Sequence, residues 1–301
     1  MKYSLVVPVY NNSKGISDLY AAISSFFKTE SVEFIFVDDF SQDSSWEELK
    51  KIRAKDQRCK IIRLSKNFGQ HAATLCGFSE SKGEFVLTLD DDLEVLPAEF
   101  QKLIDKQEAT NAKVIYGEYQ QNESTFKRLL KGIYKRISKL EGAKKGRGSS
   151  FRLIEGEIAQ KLAESHKQFV FIDEFLLWYT HEVEFVTVTN NPSALRKSRY
   201  KTKGLIKTTA NVVMYSTAIP LKAVTLTGFT LAAINFLIGI FFLHKYLIDK
   251  IEIKGYTSLI VSVLFSTGLI IFCIGVIAQY MRAILTNLNN APTYHISDKE
   301  C

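Results

Sequence analysis

Three carboxylates alternate at Asp90, Asp92 and Glu94 in the segment Leu89-Asp-Asp-Asp-Leu-Glu94, directly after the apolar run Phe85 to Leu89. Alternate positions at the end of a strand can converge on one hard divalent ion, Mg²⁺ or Mn²⁺, whose remaining positions suit diphosphate oxygens. Asp91 points less inward in that pattern. An acidic loop without a ligand has the same composition, so the surroundings must decide between the two. Groups suited to an anion lie further along: Arg152 and Arg199 carry the planar fork that binds phosphate oxygens in pairs, with Arg128 and Lys131 behind them. An ion pair with Glu155 or Glu157 is the structural alternative for Arg152. His71 reads as a helix-start residue, and Asp173 as either a base or the end of a packed segment.

These groups need elements to hold them. Tyr3 to Asn12 reads as a buried strand that ends at Pro8, where the missing donor stops the ladder. Val32 to Asp39 is a second strand ending in carboxylates, followed by the turn formers Ser41-Gln-Asp-Ser-Ser45. Ile61 to Leu64 is a third, and Ser65-Lys-Asn-Phe-Gly-Gln-His71 is a glycine turn into a helical stretch from Ala72 to Ser81. Within that turn, Asn67 and Gly69 shape a loop facing a ligand, or only a turn. Strands alternating with helices predict an α/β fold with a mostly parallel sheet and ligands at the strands' carboxyl ends.

The ordered set Val-Pro-Val-Tyr-Asn, Val-Asp-Asp-x-Ser-x-Asp-x-Ser, Leu-Ser-Lys-Asn-Phe-Gly and Asp-Asp-Asp-Leu-Glu resembles the family 2 glycosyltransferases. Within that family the chain is most similar to polyprenyl-phosphate glycosyltransferases, relatives of dolichyl-phosphate mannose synthase with two carboxyl-terminal membrane helices. Nearly the whole chain takes part, through Glu123-Ser124, Ser150-Phe-Arg-Leu-Ile154, Phe171-Ile-Asp173, Ser198-Arg-Tyr200 and Ile219-Pro-Leu221. The resemblance implies a GT-A-type nucleotide-sugar domain and inverting, metal-dependent transfer from a nucleoside-diphosphate sugar, UDP-linked, to a polyprenyl phosphate such as undecaprenyl phosphate. It places Pro8, Tyr10, Asn12, Val37 and Asp39 around the nucleoside, and it implies oligomers, including tetramers. Relatives carry Glu at Asn12, Gly at Phe40 and Gln at Glu94. Near Ser198 their Arg and Gly are here Ser193 and Arg196, and their Lys is Arg199. Tyr116-Gly-Glu lacks the Arg that follows Tyr-Gly in relatives.

The apolar 46% of the 301 residues concentrates late in the chain: Ala223 to Leu243 and Tyr256 to Met281 contain no Asp, Glu, Lys or Arg. Each run exceeds the roughly 20 residues a spanning helix needs. The expected organisation is a glycosyltransferase domain over 1–200, a juxtamembrane amphipathic helix over 201–221, spans at 222–243 and 256–281, and a tail over 282–301. A buried helical hairpin is the alternative. No cleavable signal is expected at the start, and basic residues from Arg196 to Lys222 precede the first span without an acid. The catalytic domain and both termini are therefore expected on the cytoplasmic face of a bacterial inner membrane.

The net charge of +7 is uneven: Lys127 to Arg147 holds nine basic residues and one acid. On a helix, Arg128, Lys131, Lys135 and Lys139 share a face beside an apolar stripe, a pattern suited to anionic headgroups or a lipid phosphate. No nucleic-acid motif accompanies the charge. No Walker loop or dinucleotide glycine fingerprint supports an ATPase or a dehydrogenase. A processive synthase is disfavoured because neither Trp46 nor Trp178 sits in Gln-x-x-Arg-Trp. A hydroxyl-acceptor enzyme and an idle nucleotide-sugar-binding subunit remain as alternatives. Cys59, Cys76, Cys273 and Cys301 show no pairing or metal-ligand spacing, which suits reduced thiols.

Overall fold

The computed structural model describes residues 1–28, 31–119, 149–164, 172–191, scattered positions between 224 and 248, 255–288 and 292–300. By contacts the chain forms two units, Met1–Lys197 with Pro292–Cys301, and Ser198–Ala291. Arg128, Lys131, Arg199, the basic stretch 127–147 and the expected juxtamembrane helix lie outside the described residues.

In the first unit, β1 (Tyr3–Val9), β2 (Val32–Asp38), β3 (Cys59–Leu64) and β4 (Phe85–Thr88) are followed by β5 (Val114–Tyr119), β6 (Arg152–Glu155), β7 (Val183–Val188) and β8 (Ile296–Glu300). They form one sheet in the order β7-β5-β6-β4-β1-β2-β3-β8. The pairs β1·β2, β1·β4, β2·β3 and β5·β7 are parallel, while β6 and β8 run against their neighbours. The helices are α1 (Ile16–Phe26), α2 (Ser45–Lys55), α3 (Gln70–Ser79), α4 (Phe100–Thr110), α5 (Gly156–Glu164) and α6 (Ile172–Tyr179).

Strand side chains alternate between two apolar layers. Leu5, Val7, Phe34 and Phe36 pack with Leu19 and Ile23 of α1, Trp46 and Leu49 of α2 and Phe100 and Leu103 of α4. Val6, Ile35 and Val37 pack on the other face with Leu75 and Phe78 of α3, Ile158 and Leu162 of α5 and Leu176 of α6. Burial on both faces explains why β1 after Ser4 and β2 between Glu33 and Asp38 are apolar throughout. Close seating of α3 requires Gly77, where an added Cβ would stand 2.2 Å from Val6 Cγ1.

Two boundaries differ from those expected. β1 continues through Pro8 to Val9, in register with Val37 and Asp38. In a parallel ladder alternate residues turn their polar groups to opposite neighbours, and Val9 O accepts from Asp39 N on the β2 side. Pro8 therefore faces β4, whose pairing with β1 has already ended at Thr88. A missing donor costs nothing there. The second difference lies at the carboxyl end, where part of the expected tail forms β8 beside β3.

The second unit contains α7 (Tyr256–Leu288), 33 residues that extend past the expected span end at Met281. Among the described residues no helix is long and apolar enough to cross a membrane. The side chains of several α7 residues fall outside the described set.

Candidate active site

The chain passes from β1 through β2 to β3 in one direction, then returns through α3 to place β4 on the other side of β1. Ligands in such sheets bind outside the carboxyl ends of the strands where the order reverses, here between β1 and β4. Backbone strain gathers at this edge. Asn11, Phe40 and Leu93 adopt φ of 49°, 61° and 56°, one after each of β1, β2 and β4. Positive φ in residues other than glycine is costly and persists where the surroundings enforce it.

The turn after β2 holds the first of these residues in place. Asn11 N–H donates to Ser41 Oγ and Asn12 N–H to Ser45 Oγ, both at 2.9 Å. Ser13 N–H donates to Asp43 Oδ2 at 3.0 Å, and Gln42 N–H returns to Asn11 Oδ1 at 2.8 Å. The alternating Ser41, Asp43 and Ser45 thus fasten β2's end to β1's. Beneath them Asp38 is fully buried and pairs with Arg63 at 3.2 Å, and burial pushes its carboxyl up. The Arg63 guanidinium lies 5.6 Å from the Phe40 ring centroid and 5.8 Å from that of Trp46. Phe40 and Tyr10 are exposed beside this stack.

Asp39 governs the next loop. Its oxygens accept from Phe68 N–H at 2.7 Å and Gly69 N–H at 2.9 Å, and Gly69 takes φ 93°, a conformation glycine adopts without strain. Burial drives the carboxyl up to about 6 despite both bonds, with the Asp38 charge adding to the rise. Each carboxylate oxygen has a second lone pair for a ligand N–H or O–H. Asn67 is exposed in the same loop.

Across the crevice, the acidic tip is tied to β1. Tyr10 N–H donates to Asp91 Oδ2 at 3.2 Å, and Asn12 Nδ2 donates to the Asp91 carbonyl at 2.6 Å. Asp90 accepts from Gln70 Nε2 and from Ser150 Oγ, both at 2.5 Å. Burial, with the Asp92 and Glu94 charges, raises Asp90 to about 6 against the lowering effect of Ser150. Glu94 is also raised, by burial and by Asp92. Asp92 Oδ1 accepts from Glu94 N–H at 3.1 Å.

Because β6 runs antiparallel to β4, its first residue, Arg152, stands opposite Thr88 at this same edge. Arg152 is buried and its Nη1 pairs with Asp173 of α6. Its Nε has no hydrogen-bond partner among the described residues, so one donor is left for an acceptor. Tyr116, opposite Arg152 on β5, has its hydroxyl pushed up by burial and by the charge of Asp173.

Tyr10, Asp39, Asn67, Gly69, Asp90, Asp91 and Asp92 thus lie in the loops after the carboxyl ends of β1 to β4, and Arg152 joins them from the amino end of antiparallel β6. The other expected groups are placed as follows. The Val37 side chain is fully buried in the layer against α3. Pro8 is interior to its strand and buried. Asn12 is buried, and its side-chain amide supports the acidic tip. Asp90, Asp92 and Glu94 follow β4 in one loop, and among the described residues no three His, Cys, Asp or Glu side chains, as placed, already stand together as a complete ligand group. Asp90 turns toward Gln70 and Ser150, Asp92 toward the Glu94 backbone, and Glu94 is exposed. Neither expected partner of Arg152 is its partner, because Glu155 pairs with Lys113 and Glu157 with Lys161. Cys59 and Cys76 are free and buried, and burial pushes both thiols up to about 12. The roles of Ser150 and Gln70 were missed, although both sit inside segments whose polar residues flank glycine or arginine.

The chain is similar to several known proteins. The chain is 27% identical over 307 aligned positions to the SfII prophage-derived bactoprenol glucosyl transferase of Shigella flexneri, covering 98% of this chain and 97% of that one. It is 25% identical to the undecaprenyl-phosphate 4-deoxy-4-formamido-L-arabinose transferase of Shewanella sediminis, covering 98% and 91%. Among solved structures, glucosyl-3-phosphoglycerate synthase from Mycobacterium tuberculosis, in complex with Mn²⁺ and UDP-glucose, superposes with a TM-score of 0.49 at 14% identity, covering 71% and 77%. A family model described as Glycosyl transferase family 2 matches residues 4–161, more than half of the chain, and the chain belongs to that family of glycosyltransferases.

Proposed function

We propose that this protein transfers a sugar, with inversion, from a UDP-linked donor to a polyprenyl phosphate, undecaprenyl phosphate in a bacterium, at the cytoplasmic face of the membrane. The observation that carries the reading is the meeting of Asp39 with its loop, the acidic tip and Arg152 at one strand edge. The names of the two relatives above, aligned over almost the full chain, support the acceptor.

A phosphate acceptor is largely dianionic near neutral pH, its second pKa being about 6, and attacks without a strong base. A hydroxyl acceptor would need a carboxylate base. Asp173, which could serve as one, is ion-paired with Arg152, and this favours the phosphate. In the proposed mechanism Asp39 accepts from the nucleoside, the Phe68–Gly69 turn shapes the donor side, and Arg152 directs its unpaired Nε–H at an anionic oxygen. The oxygen-only set Asp90, Asp92 and Glu94 suits Mg²⁺ or Mn²⁺ in chemistry; burial first, and the neighbouring carboxylates second, raise Asp90 and Glu94, and a cation would favour their ionised forms. A divalent ion bound there supplies charge neutralisation for the departing diphosphate.

Membrane attachment belongs to the same proposal. Exposed Leu259, Phe265, Ile270, Ile271, Phe272 and Met281 are distributed around α7 rather than along one stripe, as on a helix facing lipid. β8 returns the chain to the sheet beside β3, so any crossing between residues 198 and 291 occurs an even number of times and leaves both flanking segments on one side. The basic residues before the first apolar run favour the cytoplasmic side.

The test is nucleoside-diphosphate release by the detergent-solubilised chain, across nucleotide sugars, with Mg²⁺ or Mn²⁺ or a chelator, with and without undecaprenyl phosphate. Release that needs the lipid phosphate and the metal, and is lost in Asp92→Ala, is expected. Lipid-independent behaviour with every donor, in protein that binds nucleotide, moves the reading to a hydroxyl acceptor or a non-catalytic subunit.

A further inference from the structure

We infer that the carboxyl-terminal strand is a positioning element of the donor site: β8 fixes the far end of the 65–69 loop whose near end is held by Asp39. This deepens the donor assignment above and rests on it. Ser65 N–H, the first donor of the loop, is bound by the His295 carbonyl at 2.8 Å. The ladder between β3 and β8 slips between Arg63 and Leu64, and Ser297 sits at the slip with its hydroxyl 3.1 Å from Arg63 O and 3.2 Å from Leu64 O. A bulge at the end of a strand re-aims the residues that follow it. Here those residues are Ser65 to Gly69.

The return segment is also fastened to α3, the helix that the loop enters. Tyr294 Oη and Ser79 Oγ lie 3.0 Å apart, and Lys299 Nζ is 2.7 Å from Glu80 Oε2. Phe68, Tyr294 and Ile296 are partly buried against the same apolar layer. The loop therefore has two anchors. At one, Phe68 and Gly69 N–H meet Asp39. At the other, ten residues that arrive only after the second unit supply a strand, a bulge and two side-chain contacts. Without β8, β3 becomes the sheet edge, and the loop loses its anchor at Ser65 while keeping those at Asp39 and at the Phe68 ring. The segment after the apolar runs thus reaches the nucleotide side of the catalytic unit without touching substrate.

Three full-chain variants in detergent test this: deletion of 292–301, the double variant Tyr294→Phe with Ser297→Ala, and the conservative Ser297→Thr. Amide hydrogen exchange at Phe68 and Gly69 is read first, because it requires no ligand. The deletion is expected to speed it by about tenfold or more, and the double variant by roughly fivefold, as loss of one or two hydrogen bonds implies, with β1 and β2 protection unchanged. Ser297→Thr and a synthetic peptide of residues 292–301 added to the deletion are expected to restore protection by strand addition. With a competent donor, KM for the nucleotide sugar should rise about as much as exchange, with kcat and the lipid-phosphate KM within about twofold of wild type. Exchange at 68–69 matching wild type in the double variant overturns the inference, and that variant decides should the deletion fail to fold. Failure of the transferase reading has a different signature, absence of lipid-dependent release in the wild-type chain, and leaves the exchange result standing.

Discussion

Replacing Asp39 by Asn sets two effects of known sign against each other. The carboxylate accepts two backbone N–H groups, and an amide offers only one oxygen, so one of Phe68 and Gly69 is left facing an NH₂ group. That loss costs about 1–3 kcal/mol. Against it, the wild-type carboxyl titrates at about 6 rather than 3.8, so holding it ionised in the folded chain costs about 3 kcal/mol. Near pH 8 the relief equals or exceeds the loss, and the variant should be as stable as wild type or slightly more so. The pH dependence separates the terms. Between about 4 and 6 the folded form keeps a proton that the unfolded chain has released, so wild-type stability falls as pH rises through that window. From pH 5 to pH 8 the fall is about 1.4 kcal/mol from this group, or about 3–6 °C in Tm for a unit of roughly 200 residues. The variant lacks it. Melting curves of both proteins at a series of pH values measure the difference directly, and donor KM should rise in the variant although its stability does not drop. A wild-type-minus-variant difference that stays flat from pH 4.5 to 8 would refute both the raised carboxyl and the account of its burial.

Two further outcomes follow from packing. Arg152→Ala removes the partner of Asp173 and should cost about 3 kcal/mol, whereas a cycle with Asp173→Asn should give a coupling near the low end of about 0.5–3 kcal/mol, because Asp173 is 31% exposed; denaturant melts of the four proteins measure it. Gly77→Ala drives a methyl into Val6 and should destabilise by about 1–3 kcal/mol, and pairing it with Val6→Ala should recover part of that loss, so additive losses in thermal melts would refute the contact.

The fold was legible where local pattern and tertiary role agree. Val32 to Asp38 reads as a buried strand because both faces are covered, and its end in two carboxylates marks the sheet's ligand edge. Ser41, Asp43 and Ser45 were read as turn formers, yet their work is tertiary: each accepts from the backbone after β1, about thirty residues away in sequence. Pro8 misled because a ladder's direction is decided by its neighbours, and β4's early end is not written in β1. β8 was hidden for a related reason. Ile296-Ser-Asp-Lys-Glu has one apolar residue and no strand period, and its strand is made by β3's free edge. Asp173 could not be assigned to Arg152 because ion-pair partners across a helix and a strand have no sequence spacing, while Glu155 and Glu157 were near only along the chain.

The carboxyl edge is where this chain breaks local rules together. Three residues other than glycine take positive φ, Asp39 and Asp90 are held near 6, and Asp38 is fully buried in an ion pair with Arg63. Strain of this kind is not local in origin, because the same serines and aspartates that hold Asn11 also tie β1, β2 and the acidic tip into one frame. The two raised carboxyls differ in what relieves them. Asp39 already has two N–H donors and gains from a third that a nucleoside can bring; Asp90 has neutral donors only and faces Asp92 and Glu94, so a positive charge relieves it best. In the proposed reading the donors of a nucleoside meet Asp39 and the cation-binding oxygens of the diphosphate lie toward Asp90, so the difference between the two carboxyls would set the ligand's direction.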